Sequence, residues 1–346
     1  MRKLPVFLVI DVSESVAGPL QQSITEGMKA IVSGLRSDPQ ALESVQLSVI
    51  VFASKAKVLV NMIELINFYP PSLPIGGGTS INAALDTLMS EIDTHVVKGS
   101  KTKKSDWKPM VFLITDGVPT DNRTEAIEKW KSEYANKATL VSVSIGGGAD
   151  HALLRQLSDN IVILANSSAD TLVNFFQWIS QSVAVHSNAL ADRKPGTGVD
   201  LSKNLPEGAV SLTKIESPSA DVDERLAVFV AKCQHNEAPY LMRFERVGPA
   251  GDLSRYALRQ TLPLTQDYFE LSDTSSSPSS TISASRLQGR AGCPHCGTSI
   301  AMAECSCGKM HCIDGPGLAT CPWCGSLQNF IPAEEGSIID FSRGAG

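Results

Sequence analysis

The first 232 residues contain no cysteine, and seven of the chain's eight cysteines crowd between positions 293 and 324. Disulfide scaffolds spread their bridges through small secreted chains, so this distribution speaks against one and for a local metal site. Long apolar runs are also missing. No stretch approaches the roughly 18 apolar residues of a membrane span. The apolar run after "MRK" lasts about six residues before Asp11, short of a secretory core, and no small-residue cleavage site follows. These absences give the expectation of a cytoplasmic protein with no membrane partner. Positive charge is scarce as well. The net charge is -6, which disfavours nucleic acid as a partner. Lys309 is the only Lys or Arg between the first and last cysteines of the cluster, so that region lacks the footprint phosphates would need.

What is present reads as an α/β chain. At 346 residues it has room for two or three domains. "PVFLVIDVS", "VQLSVIVFAS", "KPMVFLITDG", "ATLVSVSIGGG" and "IVILA" are strand-like runs, apolar almost throughout, as befits strands covered on both faces. Helix candidates lie between them at 19–37, 80–97, 123–137, 150–157 and 169–185. This alternation predicts a doubly wound, mainly parallel, Rossmann-like sheet over 1–186, with "KAKVLV" as an antiparallel edge hairpin. A polar linker follows at 187–208. Residues 209–271 carry short strands without helices and predict a small β-rich module. The Ser-rich 272–289 reads as a tether, solvated or a kinase target. A zinc ribbon-like domain is expected at 290–332 and a tail at 333–346.

Two constellations carry chemistry. The first strand ends in Asp11, with Ser13 and Ser15 at alternate positions, so the three can converge in an extended turn. Thr79 follows three glycines just before a helix, and Asp116 ends another strand in "TDG". Ligands of open α/β sheets collect beyond such strand ends. Hydroxyls and carboxylates with no His or Cys suit a hard cation, Mg²⁺ or Mn²⁺. Taken singly, each residue has an ordinary reading: Ser13, Ser15 and Thr79 as helix caps, Asp116 as a turn residue. A competing enzymatic reading is a Mg²⁺-dependent phosphohydrolase with an aspartyl-phosphate. Such enzymes place a second Asp two residues after the first, where this chain has Ser13. "GGGTS" also lacks the Lys of a phosphate-binding loop. The expectation is therefore a protein without catalytic residues.

The second constellation is "CPHCG" and "CPWCG". Two C-x₂-C turns supply the four thiolates of a structural Zn²⁺ site. The expected ligands are Cys293, Cys296, Cys321 and Cys324. Cys305, Cys307 and Cys312 remain as additional candidates, enough for a second site if His295 or His311 joins. His311 and Cys312 are adjacent, however, and diverge on a strand. Cys233 sits in an apolar strand and reads as a buried thiol.

D-x-S-x-S at 11–15, Thr79 in its Gly-rich turn and Asp116 in "TDG" together resemble the metal-ion-dependent adhesion site of von Willebrand factor A domains. The resemblance implies that Ser13, Ser15 and Thr79 give hydroxyl oxygens to the metal. Asp11 and Asp116 would lie around them, partly acting through water, and an acidic residue of a partner protein would fill the open position. With the β-rich segment and the cysteine region behind it, the chain resembles the tellurium-resistance TerY type. That likeness implies a scaffold in a stress-response signalling complex with a protein kinase and a PP2C-like phosphatase.

Overall fold

The computed structural model describes residues 2–99, 104–121, 124–145, 149–164, 168–191, 205, 209–211, 226–248, 254–273, 281–331 and 340–342. The chain divides into two units, residues 1–73 with 79–220, and residues 221–346 with 74–78.

The first unit is built on a seven-stranded sheet. Its strands are β1 (Leu4–Asp11), β2 (Val45–Phe52), β3 (Ala56–Glu64), β4 (Met110–Thr115), β5 (Thr139–Ile145), β6 (Asn160–Leu164) and β7 (Ala209–Ser211), in the spatial order β3-β2-β1-β4-β5-β6-β7. The five central strands are parallel. β3 pairs antiparallel with β2 at one edge and β7 antiparallel with β6 at the other. The helices are α1 (Pro19–Arg36), α2 (Pro39–Ser44), α3 (Ile81–His95), α4 (Glu125–Lys129), α5 (His151–Leu157) and α6 (Ala169–Ala191). β1 is buried along its whole length, as its unbroken apolar run requires. Side chains alternate across it: Phe7 and Val9 join Ile50, Phe52, Val111 and Leu113 in a core with residues of α3, α4 and α5. α1 and α6 pack closely at Gly27, where an added Cβ would lie 1.9 Å from the Phe176 ring. β1 pairs with both β2 and β4, so the chain leaves it in opposite directions. That is the switch point of the sheet, and Asp11 and Asp116 stand at its carboxyl end.

The second unit holds a six-stranded sheet of β8 (Leu226–Lys232), β9 (Pro239–Val247), β10 (Arg255–Pro263), β12 (Leu287–Gln288), β13 (Ile300–Glu304) and β14 (Met310–Ile313), in the order β12-β10-β9-β8-β14-β13. A short helix α7 (Asp267–Leu271) follows β10, β11 (Thr281–Ser283) pairs with β17 (Asp340–Ser342), and β15 (Gly317–Thr320) pairs with β16 (Leu327–Phe330).

This corrects the expected domain plan in four places. α6 continues through 187–191, which the sequence assigns to the linker. Residues 209–211 complete the first sheet rather than opening the β-rich module. β14 runs parallel beside β8 through Met310↔Ala231 and His311↔Lys232, so the β-rich module and the ribbon share one sheet and one core. Residues 281–288 of the expected tether are strand and 3₁₀ turn, and 340–342 of the expected tail pair with them. The serine tract proper, 274–280, and most of the linker lie outside the described residues.

Candidate metal centres

The oxygen-lined site grows from the end of β1. Asp11 Oδ1 accepts from the Ser13 N–H at 2.9 Å, which folds the chain back so that Ser13 Oγ and Ser15 Oγ lie 3.0 Å apart. Ser15 Oγ donates to Asp116 Oδ1 at 2.9 Å, across 101 residues of sequence. Asp11 Oδ2 accepts from Thr115 Oγ1 at 2.6 Å. A Cβ at Gly117 would come within 3.4 Å of Thr79 Oγ1 and 3.9 Å of Asp11 Oδ2. Glycine thus leaves an open cradle between those two oxygens. The ordinary cap readings do not hold for the hydroxyls. Ser80, not Thr79, caps α3, accepting from Ala83 N at 3.0 Å. Ser13 precedes a 3₁₀ turn at Glu14–Val16 without a side-chain cap bond.

Asp11 is 1% exposed. Burial pushes its carboxyl up to about 6, against the hydrogen bonds of Thr115 and Ser13, which act to lower it. A buried carboxylate of this kind gains most from a cation. The donor set is wholly oxygen, it converges, and the cradle is open, so the residues fit a hard divalent cation. Sequence reading missed the supports. Thr120 N and Oγ1 both donate to the Thr79 carbonyl, at 2.7 and 3.1 Å, and Thr120 Oγ1 accepts from Thr79 N at 3.0 Å. Ser80 donates to Asp121, which also accepts from Asn82 Nδ2 at 3.3 Å. The signal for these residues lay in "TDGVPTD", whose first Thr and last Thr-Asp flank the aspartate that drew attention.

The cysteines form two sets of four, not the single set expected. Cys233, Cys293, Cys296 and Cys312 make one, Cys305, Cys307, Cys321 and Cys324 the other, and within each all sulfurs lie within 4.8 Å of one another. The two C-x₂-C turns, expected to share one ion, belong to different clusters. Cys233, expected as a plain buried thiol, is a cluster member, and neither His295 nor His311 belongs to either set. Close pairs are Cys296–Cys312 at 3.7 Å, Cys305–Cys324 at 3.6 Å and Cys307–Cys321 at 3.9 Å. A tetrahedron with Zn–S bonds of about 2.3 Å has edges of about 3.8 Å, whereas a disulfide needs about 2.05 Å. The geometry fits zinc.

The reason for the regrouping is a repeated turn. Cys293 N donates to Thr298 O and accepts Gly297 N at its own carbonyl, both at 2.9 Å, with Gly297 at φ +78°. Cys321, with Ser326 and Gly325, repeats the pattern at the same distances. Cys305 makes a version one residue shorter with Lys309 and Gly308. Cys233 makes the full-length version with Ala238 and Glu237, also at 2.9 Å, and Glu237 adopts φ +58° where the others have glycine. "CQHNEA" is therefore a knuckle with Asn236 where "CPHCGT" has its second cysteine. Cys312, on the strand paired with β8, supplies the missing thiol. Backbone N–H groups point at the sulfurs: Gln234 to Cys312 at 3.2 Å and Trp323 to Cys321 at 3.4 Å. In the second cluster burial pushes Cys307 up to about 12. At Cys305 burial acts upward too, but hydrogen bonds from Cys307 and Ser326 outweigh it and bring the thiol down to about 6. Crowded thiols cannot all ionise without a cation between them.

With both centres in place, the comparisons define the class. Residues 6–178 match the family described as von Willebrand factor type A domain, and the chain belongs to that family. Residues 223–346 match the TerY-C metal binding domain, which makes this a TerY-type von Willebrand A protein with a C-terminal metal-binding region. The chain is 28% identical over 165 residues to the inter-alpha-trypsin inhibitor heavy chain H2 of Mus musculus, covering 44% of this chain and 17% of that protein. Among solved structures, proximal thread matrix protein 1 from the mussel byssus, with a zinc-occupied MIDAS motif, is 19% identical with a TM-score of 0.38, covering 54% of this chain and 46% of that one. A von Willebrand factor type A protein from Catenulispora acidiphila is 13% identical with a TM-score of 0.40, covering 78% and 68%. Among the described residues no helix is long and apolar enough to cross a membrane.

Proposed function

We propose that the protein is a metal-dependent interaction scaffold. Asp11, Ser13, Ser15, Thr79 and Asp116 hold Mg²⁺ or Mn²⁺ and present it to an acidic residue of a partner protein. When bound, the cation supplies a positive charge with an open coordination position. The chain's own part is to fix that charge: Asp11 is oriented by Thr115 and the Ser13 N–H, Asp116 by Ser15, and Thr79 by Thr120. Two zinc ions, one in each four-cysteine cluster, set the shape of the second unit.

The observation that carries this reading is the Ser13–Ser15–Asp116 chain beside the Gly117 cradle, with the helix cap of α3 assigned to Ser80 so that Thr79 is not spent there. It favours binding over turnover, because the position of a phosphohydrolase's general acid is held by Ser13. The TerY-C match and the TerY resemblance support a place in a tellurium-resistance-like stress response, in the cytoplasm. The partners would then be a protein kinase and a PP2C-like phosphatase. The test is calorimetric binding of the zinc-loaded chain to such a phosphatase and kinase, with Mg²⁺ and with no added Mg²⁺ or Mn²⁺. Binding to at least one should need the cation and be lost in Asp11→Ala. Equal affinity in both conditions would overturn the adhesion mechanism.

A further inference from the structure

The two four-cysteine clusters sit in different surroundings. Cys233, Cys293 and Cys312 of the first belong to the apolar core of the second unit, with Phe229, Tyr240 and Phe244, and only Cys296 is exposed. The second cluster lies between two turns. Cys305 and Cys307 stand in the turn from β13 to β14, Cys321 and Cys324 in the turn from β15 to β16. None of its thiols belongs to that core. The buried apolar residues on the strands that carry it form a small group of their own, Ala303, Ile313 and Ala319. One face of the β15–β16 hairpin is open, with Leu318 and Leu327 exposed. Local opening therefore costs less at the second cluster than at the first.

The sulfurs of the second cluster pair across the two turns. Cys305 Sγ lies 3.6 Å from Cys324 Sγ, and Cys307 Sγ lies 3.9 Å from Cys321 Sγ. Each pair joins an exposed thiol, Cys324 or Cys307, to a buried one, Cys305 or Cys321. An oxidant can reach the first member while the second stands beside it to resolve the product. Polar contacts hold the turns face to face without help from the sulfurs. Trp323 Nε1 donates to the Met310 carbonyl at 2.7 Å, Ser306 N donates to Gln328 Oε1 at 3.1 Å, and Gln328 Nε2 donates to Ser306 Oγ.

We propose that the second cluster is an oxidation site: peroxide converts Cys305–Cys324 and Cys307–Cys321 into disulfides and frees the zinc there, while the first cluster keeps its own. This rests on reading both clusters as zinc sites. At each pair the exposed thiolate attacks a peroxide oxygen; the O–O bond breaks, hydroxide leaves and a sulfenic acid forms. The buried thiolate then attacks that sulfur, the S–O bond breaks and a second hydroxide leaves. Each sulfur gives up one electron, the peroxide takes both, and two protons from solvent complete two waters. The new bonds join the same turns that the metal joined, so a thiol reductant with zinc restores the starting state.

The experiment treats the zinc-loaded full-length protein with rising amounts of hydrogen peroxide. Released zinc is read with a chromogenic chelator, and disulfides are mapped by mass spectrometry after alkylation. One zinc per chain should appear first, on the order of tenfold faster than the second, together with the Cys305–Cys324 and Cys307–Cys321 bonds. Cys324→His offers a nitrogen to the metal but no thiol to oxidise. It should release the first zinc more slowly, without the Cys305–Cys324 bond. If that variant holds only one zinc, the fast phase should be absent; fast release from it would place the oxidation in the first cluster and overturn the proposal. Simultaneous release of both ions from the wild type, or a Cys321–Cys324 bond within one turn, would also overturn it. A wild type that holds fewer than two zinc ions would instead remove the zinc reading beneath it.

Discussion

Asp11 is a costly carboxylate, buried at the end of β1 and raised to about 6 from 3.8 by that burial. The sign of its pH effect follows. Its folded value lies above its unfolded one, so its favourable contribution is complete below about pH 4 and is lost as pH rises through 6. The loss by pH 7 is on the order of 3 kcal/mol. Zinc-loaded protein freed of Mg²⁺ and Mn²⁺ should therefore unfold at lower denaturant at pH 7 than at pH 5, and Asp11→Asn should flatten that difference. Added Mg²⁺ should stabilise the wild type at pH 7 and not the variant; matching pH curves for the two would refute this. Glu237 offers a second residue-scale test. It holds φ +58° where three related turns use glycine. Glu237→Gly should stabilise the second unit by about 1 kcal/mol, read from its denaturation midpoint, and an unchanged or lower midpoint would count against the knuckle assignment. At this scale the convergence of Asp11, Ser13, Ser15, Thr79 and Asp116 was legible because they lie in short motifs of chemically distinctive residues. Thr115, Thr120 and Asp121 were not, because a hydroxyl or carboxylate at a strand end or in a loop has many ordinary uses. Cys233 was hidden for a different reason: its knuckle has Asn236 and Glu237 in place of the Cys-Gly that marks the others.

Among the elements, the parallel strands of the first unit are written plainly in apolar runs, and the helices between them fall within a few residues of their expected bounds, except that α6 runs six residues past its expected end at 185. α2 is too short to show a period. β7 could not be read, since three residues far along the chain reveal nothing of the strand they pair with. The same holds for β14, whose parallel pairing with β8 joins "RLAVFVAKC" to the cysteine region and explains why two expected domains are one. The helix expected over 123–137 is present but changes character: α4 gives way to a π-helical turn at Trp130–Tyr134, where Trp130 Nε1 donates to the Leu157 carbonyl at 3.1 Å. Packing between elements makes its own prediction at Gly27. The α1–α6 crossing leaves no room for a methyl group beside Phe176. Gly27→Ala should destabilise the first unit by about 1–3 kcal/mol, in spite of alanine's better helix propensity. A stabilised variant in chemical denaturation would show that the helices sit further apart than described.

On the scale of the whole molecule, the two units rest on different chemistry. The first has a large apolar core, with the oxygen-lined site only at its rim. In the second, Cys233, Cys293 and Cys312 are part of the core itself, so a metal bound by them would be linked to folding there. Metal analysis should find two zinc ions per chain, falling to about one in Cys233→Ser. Chelation should unfold the second unit while the first keeps its cooperative transition; one zinc in the wild type, unaffected by Cys233→Ser, would restore the single-site arrangement. The central claim concerns the other metal. Its most direct test is Mn²⁺ titration of the zinc-loaded chain, followed by paramagnetic resonance and water-proton relaxation. The account predicts one Mn²⁺ per chain in all-oxygen coordination that retains exchangeable water at its open position, and its loss in Asp11→Ala and Thr79→Ala. No bound Mn²⁺ in the wild type, or equal binding in those variants, would contradict it.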